Sequence, residues 1–410
     1  MKNLKLITVV AILMMMTGIN RTNAAIIYVE ENGIGGAYTS IGVACQAAQS
    51  GDKILVYPRA NNAYYQELNG AFTVPDNVEV ISAVPGQRFR VETAGGSVII
   101  GNNCKFSMGE INITDSGNPT DYKTIIGNQS WVADCLIDSG SVYGGDDSKF
   151  DNDSILYGTT IINSGRVSGC YCSVGLYIAG HQGNDRNDTI LVVGNYIYGD
   201  LNFYYSGSEP FNEYVFIANN YIINVAGMVI DGLCQGGTGM NSIINNIIIH
   251  RYPINESIIT ISPNSSTANL NISNNLLISE YPASIGPIID ILQPMSSISS
   301  ISYNYMVGLG GSIFANGFIN DGTNVLNSNT TIDAQGHLLA GSDAINGGSP
   351  NVNYLNLDLT RNSAGCFGGS YSRSNFNTPG IGNPRVLFMT APRTAFSTQS
   401  INISADGVAK

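Results

Sequence analysis

The sequence predicts an all-β solenoid, a fold in which similar coils stack along one axis. An Asn recurs before short segments rich in Ile, Val, Leu and Tyr, at intervals of 25, 26, 29 and 29 residues. A repeat of roughly 20–50 residues is typical of solenoids, because a single coil cannot bury its apolar side chains alone. The recurring residues are Asn195, Asn220, Asn246, Asn275 and Asn304. Since Asn tolerates the left-handed conformation and its amide can bond to an equivalent Asn, we expect these side chains to form a ladder at a tight turn.

The segments around these Asn residues have the character of short strands. From about residue 71 to residue 304, β-branched stretches such as GSVII, EINIT and TILVVGN alternate with Gly, Asn, Asp and Ser. Helical periodicity does not persist there for more than about one turn. Coils of three short strands with inward Ile, Val and Leu fit this pattern. The larger intervals predict protruding loops at 140–153, 180–188 and 206–213, and loops on a rigid scaffold are where function is usually located.

The N-terminus is predicted to be a secretory signal peptide over residues 1–24. Lys2 and Lys5 precede an apolar run over residues 6–16, and a polar stretch follows. The apolar run is about half of the roughly 20 residues that a bilayer-spanning helix requires. We therefore expect a protein that is secreted or displayed on the cell surface, with no transmembrane segment in the mature chain.

A capped helix is predicted directly after the first strand, IIYV. Residues 40–50 place apolar side chains at the helical i, i+3, i+4 and i+7 spacing. Ser40 or Thr39 can serve as the N-cap, and Gly51 follows in the C-capping position. A helix here would cover the open end of the solenoid, where core side chains and strand edges are otherwise exposed.

Both ends of the chain resemble one family. The opening stretch IYVEENGIGGAYTSIGVACQAAQSGDKILVYP is similar to the N-terminal cap of secreted bacterial right-handed parallel β-helix proteins of the pectin-lyase-like superfamily. AGSDAINGGSPN and LDLTRNSAGCFGGSYS, within residues 340–372, resemble the closing segment of that family. The resemblance implies a right-handed parallel β-helix with an N-terminal helical cap over residues 25–382 and a short C-terminal β extension over 383–410. Arg361 is expected to bond carbonyl groups or a carboxylate, and the fold itself does not specify an activity.

The charge distribution restricts the class of partner. The formal charge of −12 becomes −15 when Lys2, Lys5 and Arg21 leave with the signal peptide, and no Lys lies between Lys149 and Lys410. This composition does not provide the basic surface that nucleic-acid binding requires. It also disfavours a deep basic groove for an acidic polysaccharide.

The seven Cys residues are scattered along the chain and odd in number. Several lie within strand-like segments, as in ADCLID and GCYCS. Buried thiols packed among apolar side chains are the favoured state, with one disulfide left open.

An Asp-rich region is the best candidate for catalysis. Asp146 and Asp147 are followed by His181 and Arg186 one or two coils later, and paired carboxylates can act as acid and base in glycoside hydrolysis. The order is similar to that of the pectin-hydrolase branch of the family, which uses an Asp pair, a Gly-His-Gly and an Arg-Ile-Lys. Here Gln follows His181, and the Ile-Lys after Arg186 is absent.

The same region offers ligands for calcium. Lyases of this fold commonly use Ca²⁺ held by carboxylates, and Lys149 lies among the Asp residues as a possible proton acceptor. The candidate ligands are Asp146, Asp147, Asp151 and Asp153. The alternative is a solvated loop rich in turn-forming residues.

A group of aromatic residues is the candidate for glycan binding. Its members are Tyr196, Tyr198, Tyr204, Tyr205 and Tyr214. Aromatic faces stack on sugar rings, and this Lys-poor half of the chain suits a neutral glycan. The alternative is that these rings pack within and between strands.

We therefore expect an extracellular protein that binds a glycan or another extracellular polymer without a recognisable catalytic set. The alternative is a polysaccharide lyase or glycoside hydrolase with divergent active-site residues.

Overall fold

The computed structural model describes residues 24–67, 70–114, 123–138, 140–180, 189–203, 213–224, 228–231, 240–251, 257–262, 269–281, 287–292, 299–308, 322–376, 385–390 and 403–408. Within these ranges the chain forms three long parallel sheets and a separate two-stranded hairpin. No helix in the described ranges is long and apolar enough to cross a membrane.

The three sheets run the length of the molecule. Sheet 1 contains Ile26–Val29, Lys53–Val56, Glu79–Ser82, Lys105–Ser107, Trp131–Ala133, Ser148–Asp151, Gly165–Ser168, Thr189–Val193, Tyr214–Ala218, Asn241–Ile244, Leu270–Ser273 and Ser299–Ser302. Sheet 2 contains Tyr65–Glu67, Phe89–Ala94, Gly109–Thr114, Leu136–Ile137, Ser154–Ile155, Tyr171–Cys172, Tyr196–Tyr198, Tyr221–Asn224, Ile247–His250, Leu276–Ser279 and Tyr305–Val307. Sheet 3 contains Phe72–Val74, Val98–Ile100, Lys123–Ile126, Ser141–Gly144, Thr160–Ile162, Gly175–Ile178, Asp200–Phe203, Met228–Asp231, Ile259–Ser262 and Ile289–Ile291.

Each coil contributes one strand to sheet 1, then sheet 2, then sheet 3, and every strand pairs in parallel with its counterpart in the next coil. Because crossovers between parallel strands of one sheet are right-handed, this order builds a right-handed parallel β-helix, which confirms the predicted fold. Alternate side chains point inward and form one continuous core of Ile, Val, Leu and Phe.

The predicted loop at 140–153 is wrong, because this segment is a regular part of the helix. It contains the strands Ser141–Gly144 and Ser148–Asp151, which pair with the coils on either side. The coils here are short: Cys135, Asp153 and Cys170 occupy equivalent positions at intervals of 18 and 17 residues. Gly145, Asp146 and Asp147 form the three-residue corner between the strands Ser141–Gly144 and Ser148–Asp151. The other two predicted loops, 180–188 and 206–213, lie almost entirely outside the described residues.

The predicted helix covers the first coils. Helix α1 spans Ile41–Ala47, and the Ser40 hydroxyl accepts a hydrogen bond from the Val43 N–H. The Glu67 carboxylate accepts a further bond from the Ile41 N–H at 2.8 Å, which suits the positive end of the helix dipole. The helix ends earlier than predicted: Ala48 is the C-cap, and Gly51 forms the turn before the next strand with φ +93°.

Four single-turn 3₁₀ segments complete the helical content of the described residues. They are Ile34–Gly36, Ala60–Asn62, Val352–Tyr354 and Arg373–Asn375.

The Asn ladder is present at the corner between sheet 1 and sheet 2. Each amide donates to the side-chain oxygen of the next Asn, from Asn195 to Asn220 at 2.9 Å and onward at 2.9–3.0 Å to Asn324. The left-handed conformation falls on the preceding residue, such as Gly194 or Asn219, and not on the ladder Asn as expected. From Ala133 to Tyr305 this corner is two residues long in every coil.

The closing segment, residues 322–376, lies back along the outside of the helix. Asn219 donates to the carbonyls of Cys366 and Gly368, and Asn245 donates to those of Ser363 and Gly365. The two adjacent Asn residues at this corner therefore have different roles. Asn220 and Asn246 form the ladder inside the helix, whereas the preceding Asn219 and Asn245 bond to the closing segment outside it.

Two further contacts fix this segment. Arg361 donates to the carbonyls of Gly348 at 2.7 Å and Gly347 at 3.4 Å, which confirms its predicted bonding to carbonyl groups. Phe376 packs against Gly169 and Gly194, where the Cβ of any other residue would meet its ring.

A C-terminal hairpin lies against sheet 1. Its strands, Arg385–Thr390 and Ser404–Val408, pair antiparallel. Asp406 receives hydrogen bonds from Arg166 at 2.7 Å and Lys149 at 3.2 Å, and Phe388 lies 4.2 Å from the Arg166 guanidinium. These contacts tie residues more than 200 positions apart.

The six described cysteines are buried and free, as the sequence favoured, and Cys234 lies outside the described residues. Burial raises the pKa of Cys45, Cys172 and Cys366 to about 12. Such thiols are protonated and unreactive.

Candidate functional site

The six Asp residues between 134 and 153 lie on different parts of the coils and do not form one cluster. Asp134 and Asp153 lie at the corner of sheets 1 and 2, and Asp138 follows a strand of sheet 2. Asp146 and Asp147 lie at the corner of sheets 3 and 1, and Asp151 ends a strand of sheet 1.

The proposed catalytic pair Asp146 and Asp147 forms a corner turn. The Asp146 N–H donates to Asn128 Oδ1 at 2.8 Å, and its carboxylate accepts a bond from Asn163 Nδ2 at 3.2 Å. Asp147 has a left-handed φ of 55°, and its N–H donates to the Ser164 hydroxyl. Asp76, Asn102 and Asn128 make equivalent contacts in earlier coils. Asp146 therefore belongs to a second, outer ladder of turn residues, and Asp147 is the left-handed residue that follows it in the turn.

Two of the proposed calcium ligands have other partners. Asp151 is buried and receives two hydrogen bonds from Arg166 and one from Ser168. Asp153 is also buried, and one of its oxygens accepts the Cys135 N–H at 2.8 Å. Burial raises the pKa of Asp153 well above its ordinary value, since the nearby Asp134 and Asp151 add to the penalty for ionisation. A neutral carboxylic acid is a poor ligand for Ca²⁺.

No group of three or more His, Cys, Asp or Glu side chains that could hold a metal ion occurs within the described ranges. His181 and Arg186, the other proposed catalytic residues, and Tyr204 and Tyr205, proposed to bind a glycan, lie outside the described residues. Their roles stay predictions.

The tyrosines of sheet 2 form an aromatic row on its outer surface. Tyr171, Tyr196 and Tyr221 occupy equivalent positions in three consecutive coils. The rings of Tyr171 and Tyr196 stack with centroids 5.2 Å apart, and Tyr196 meets Tyr221 edge-on at the same distance. Toward the N-terminus the row continues with Ser154, whose small side chain leaves the outer face of Tyr171 accessible, so that Tyr171 is 38% exposed.

Two more tyrosines extend this surface. Tyr198 is 47% exposed and lies two residues beyond Tyr196 on the same strand. Tyr157 is 79% exposed and follows the Ser154 strand, where its N–H donates to the Ser173 hydroxyl. We name Tyr157, Tyr171, Tyr196 and Tyr198 the tyrosine patch.

The closing segment sets the boundary of the patch. It buries Tyr221, against which Gly336 packs, but leaves Tyr171 and Tyr198 exposed. Arg373, near the end of this segment, places its guanidinium 5.5 Å from the centre of the Tyr196 ring. The patch therefore combines uncovered aromatic surface with a cation at its edge.

Tyr214, the third described member of the predicted glycan-binding group, is buried and not exposed. Tyr214 is 6% exposed at the start of a sheet 1 strand, so its predicted role in glycan stacking is wrong. Val215 and Ile217 of the same strand point into the core, so Tyr214 lies on the outer face of sheet 1.

Sequence reasoning missed Tyr157, Tyr171 and Arg373. Tyr171 precedes Tyr196 by 25 residues, so the interval of the Asn repeat could have revealed it. Arg373 could not be placed, because the path of the closing segment over sheet 2 depends on contacts between distant residues.

The comparisons with known proteins are sparse. No known protein family matches the sequence, and no curated protein matches it. Among solved structures, the fold is similar to the A-module of mannuronan C-5 epimerase AlgE6 from Azotobacter vinelandii, with 12% sequence identity and a TM-score of 0.41. The match covers 70% of this chain and 94% of that module.

Proposed function

We propose that this protein is an exported glycan-binding protein that holds a polysaccharide on the tyrosine patch. The proposal keeps Tyr196 and Tyr198 of the predicted group, adds Tyr171 and leaves out the buried Tyr214. Export is proposed from the signal-like N-terminus alone.

The observation that supports binding is the exposed face of Tyr171. Buried aromatic rows stabilise a β-helix by stacking, but Tyr171 and Tyr198 remain 38% and 47% exposed beside the closing segment. Aromatic rings present a large apolar face together with a polar hydroxyl, which suits the apolar face and the hydroxyl groups of a sugar. Neighbouring coils lie about 4.8 Å apart, so aromatic residues of successive coils can contact successive parts of an extended chain.

The lyase or hydrolase hypothesis receives less support from the geometry. Asp146 and Asp147 serve a structural turn, and Asp151 pairs with Arg166. The hypothesis now depends on His181 and Arg186, and it is tested in the same experiment.

The test is retention of the mature chain on a panel of immobilised polysaccharides, compared with the variants Tyr171→Ala and Tyr198→Ala. Each loss of an aromatic face should weaken binding about two- to tenfold, since such contacts contribute about 0.5–1.5 kcal/mol beyond area. Tyr57→Ala is the matched control, because Tyr57 is 40% exposed but lies near the N-terminal end of the helix.

Reducing ends and unsaturated products would be measured in the same samples. Retention that weakens in both patch variants but not in Tyr57→Ala would support the proposal. Retention that is equal in all variants, or absent from every glycan, would contradict it. Cleavage that is lost in His181→Ala would establish the enzyme hypothesis instead.

A further inference from the structure

Arg373 has no anionic partner in the part of the chain that the structure describes. Its guanidinium forms no ion pair with a described carboxylate, and its Nε is buried without a hydrogen-bond partner. The chain has a net charge of −12, so carboxylates are not scarce. A buried donor without a partner is unfavourable in the free protein, and the two terminal guanidinium nitrogens of Arg373 form no hydrogen bond with a described residue, so they are the donors available to a ligand.

Other described arginines differ from Arg373 because they have partners within the protein. Arg90 pairs with Glu110 at 2.8 Å, Arg166 pairs with Asp151 and Asp406, and Arg251 pairs with Glu280 at 3.0 Å. Arg361 donates to two backbone carbonyls. Each of these side chains has a structural partner that accounts for its position.

The position of Arg373 relates it to the tyrosine patch. Its guanidinium lies 5.5 Å from the centre of the Tyr196 ring, and that ring stacks on Tyr171 at 5.2 Å. Burial raises the pKa of Tyr196 and the neighbouring Tyr171 adds to this shift, whereas the positive charges of Arg251 and Arg373 oppose it. Positive potential therefore reaches the ring at the edge of the patch.

We propose that Arg373 makes the tyrosine patch selective for glycans that carry an anionic group, either a carboxylate or a sulfate, on a sugar bound beside Tyr196. This inference rests on the proposed glycan-binding function. A guanidinium provides a planar fork of donors that matches both anions, and its hydrogen bonds to charged groups are among the stronger ones. The partner is then an acidic polysaccharide, and not the neutral glycan that the scarcity of Lys suggested.

The test compares each acidic polysaccharide with its own neutral form. A uronate polymer would be paired with its carboxyl-reduced counterpart, and a sulfated polymer with its desulfated counterpart, using the full mature chain. The wild type should bind one acidic form about 10- to 100-fold more tightly than its neutral form, because charge-assisted bonds contribute about 1.5–3 kcal/mol. The pair that shows the difference identifies the anion.

Arg373→Gln should reduce this ratio to about one while binding of the neutral form is retained. Arg251→Gln is the matched control: it removes a nearby positive charge that already has a carboxylate partner, so the ratio should change little. Unchanged thermal unfolding of both variants would show that the fold is intact.

Equal binding of acidic and neutral forms by the wild type would overturn the inference, and so would a ratio that Arg373→Gln leaves unchanged. These results are distinct from failure of the proposed function. In that case Tyr171→Ala binds every glycan as well as the wild type, or no glycan is retained at all.

Discussion

Asp153 occupies a ladder position that Asn fills in the coils from Asn195 onward. One oxygen accepts the Cys135 N–H, as an Asn side chain would, and its other oxygen, Oδ2, is buried without a hydrogen-bond partner. In later coils the amide nitrogen at this position donates to a carbonyl of the preceding coil, as Asn195 does to Val167 at 2.9 Å. A protonated Asp153 can imitate this donor, and an ionised one cannot.

We therefore expect Asp153→Asn to stabilise the protein at neutral pH by about 1–3 kcal/mol, the usual effect of satisfying a buried polar atom. Below about pH 3.9, the ordinary pKa of Asp, both folded and unfolded wild type hold the proton. Above that pH the unfolded chain releases a proton that the folded chain retains, so the free energy of unfolding of the wild type falls as pH rises.

Denaturant unfolding of both proteins between about pH 3 and pH 8 measures this difference. The gain from Asp153→Asn should grow with pH and disappear in acid. Asn195→Asp is the matched control and should be destabilised most at neutral pH. A gain that does not depend on pH would show that Asp153 is ionised in the folded state.

At the scale of single elements, the C-terminal hairpin is attached to sheet 1 through the ion pairs of Asp406 and through Phe388, which is buried against Val193, Ala218 and Ile244. Burial raises the pKa of Asp406, but Arg166 and Lys149 outweigh it, so this pKa lies below its ordinary value. The carboxylate therefore stabilises the attached hairpin above about pH 3.9, and this stabilisation is lost as pH falls through the lowered pKa.

Hydrogen exchange of residues 385–390 should accordingly accelerate in acid before the ladder strands open. Asp406→Asn should show fast exchange in this strand already at neutral pH, because the neutral amide cannot replace the ion pairs with Arg166 and Lys149. Exchange in Asn241–Ile244 is the internal control, since this strand is buried in the core. Slow exchange of 385–390 in Asp406→Asn would mean that Phe388 and its apolar neighbours suffice to attach the hairpin.

The sequence predicted the Asn ladder better than it predicted the tyrosine patch. The ladder was predictable because five of its positions repeat the same residue in similar surroundings. Its earlier members, Asp153 and Cys170, were not, since the residue type changes and the coils shorten to 17–18 residues. Tyr196 and Tyr198 were recognised from their composition, but their exposure depends on the path of the closing segment over the coils, which no local pattern encodes.

At the scale of the whole molecule, the closing segment joins coils that would otherwise contact only their immediate neighbours. Its residues 363–376 bond or pack to Asn274, Asn245, Asn219, Gly194 and Gly169, which belong to five successive coils. A solenoid without such a connection can open one coil at a time from its ends.

We expect the double variant Asn219→Ala, Asn245→Ala to lose this coupling. Together the two amides bond four carbonyls of the closing segment, and each substitution should destabilise it by about 1–3 kcal/mol by leaving these carbonyls unsatisfied. Calorimetry should show an additional transition at lower temperature, whereas the wild type should unfold in fewer steps. An unchanged thermal profile would show that apolar packing alone couples the coils.

The corner between sheets 1 and 2 keeps the same two-residue length from Ala133 to Tyr305, while the connections at the other two corners range from one residue to ten. Because this corner has a constant length and carries the amide ladder, it determines the spacing and the register of successive coils, whatever the length of the other two connections. The two variable corners can then accept foreign peptides without loss of register. A scaffold for displaying arrays of binding loops at fixed spacing follows from this asymmetry, with the ladder side left unmodified.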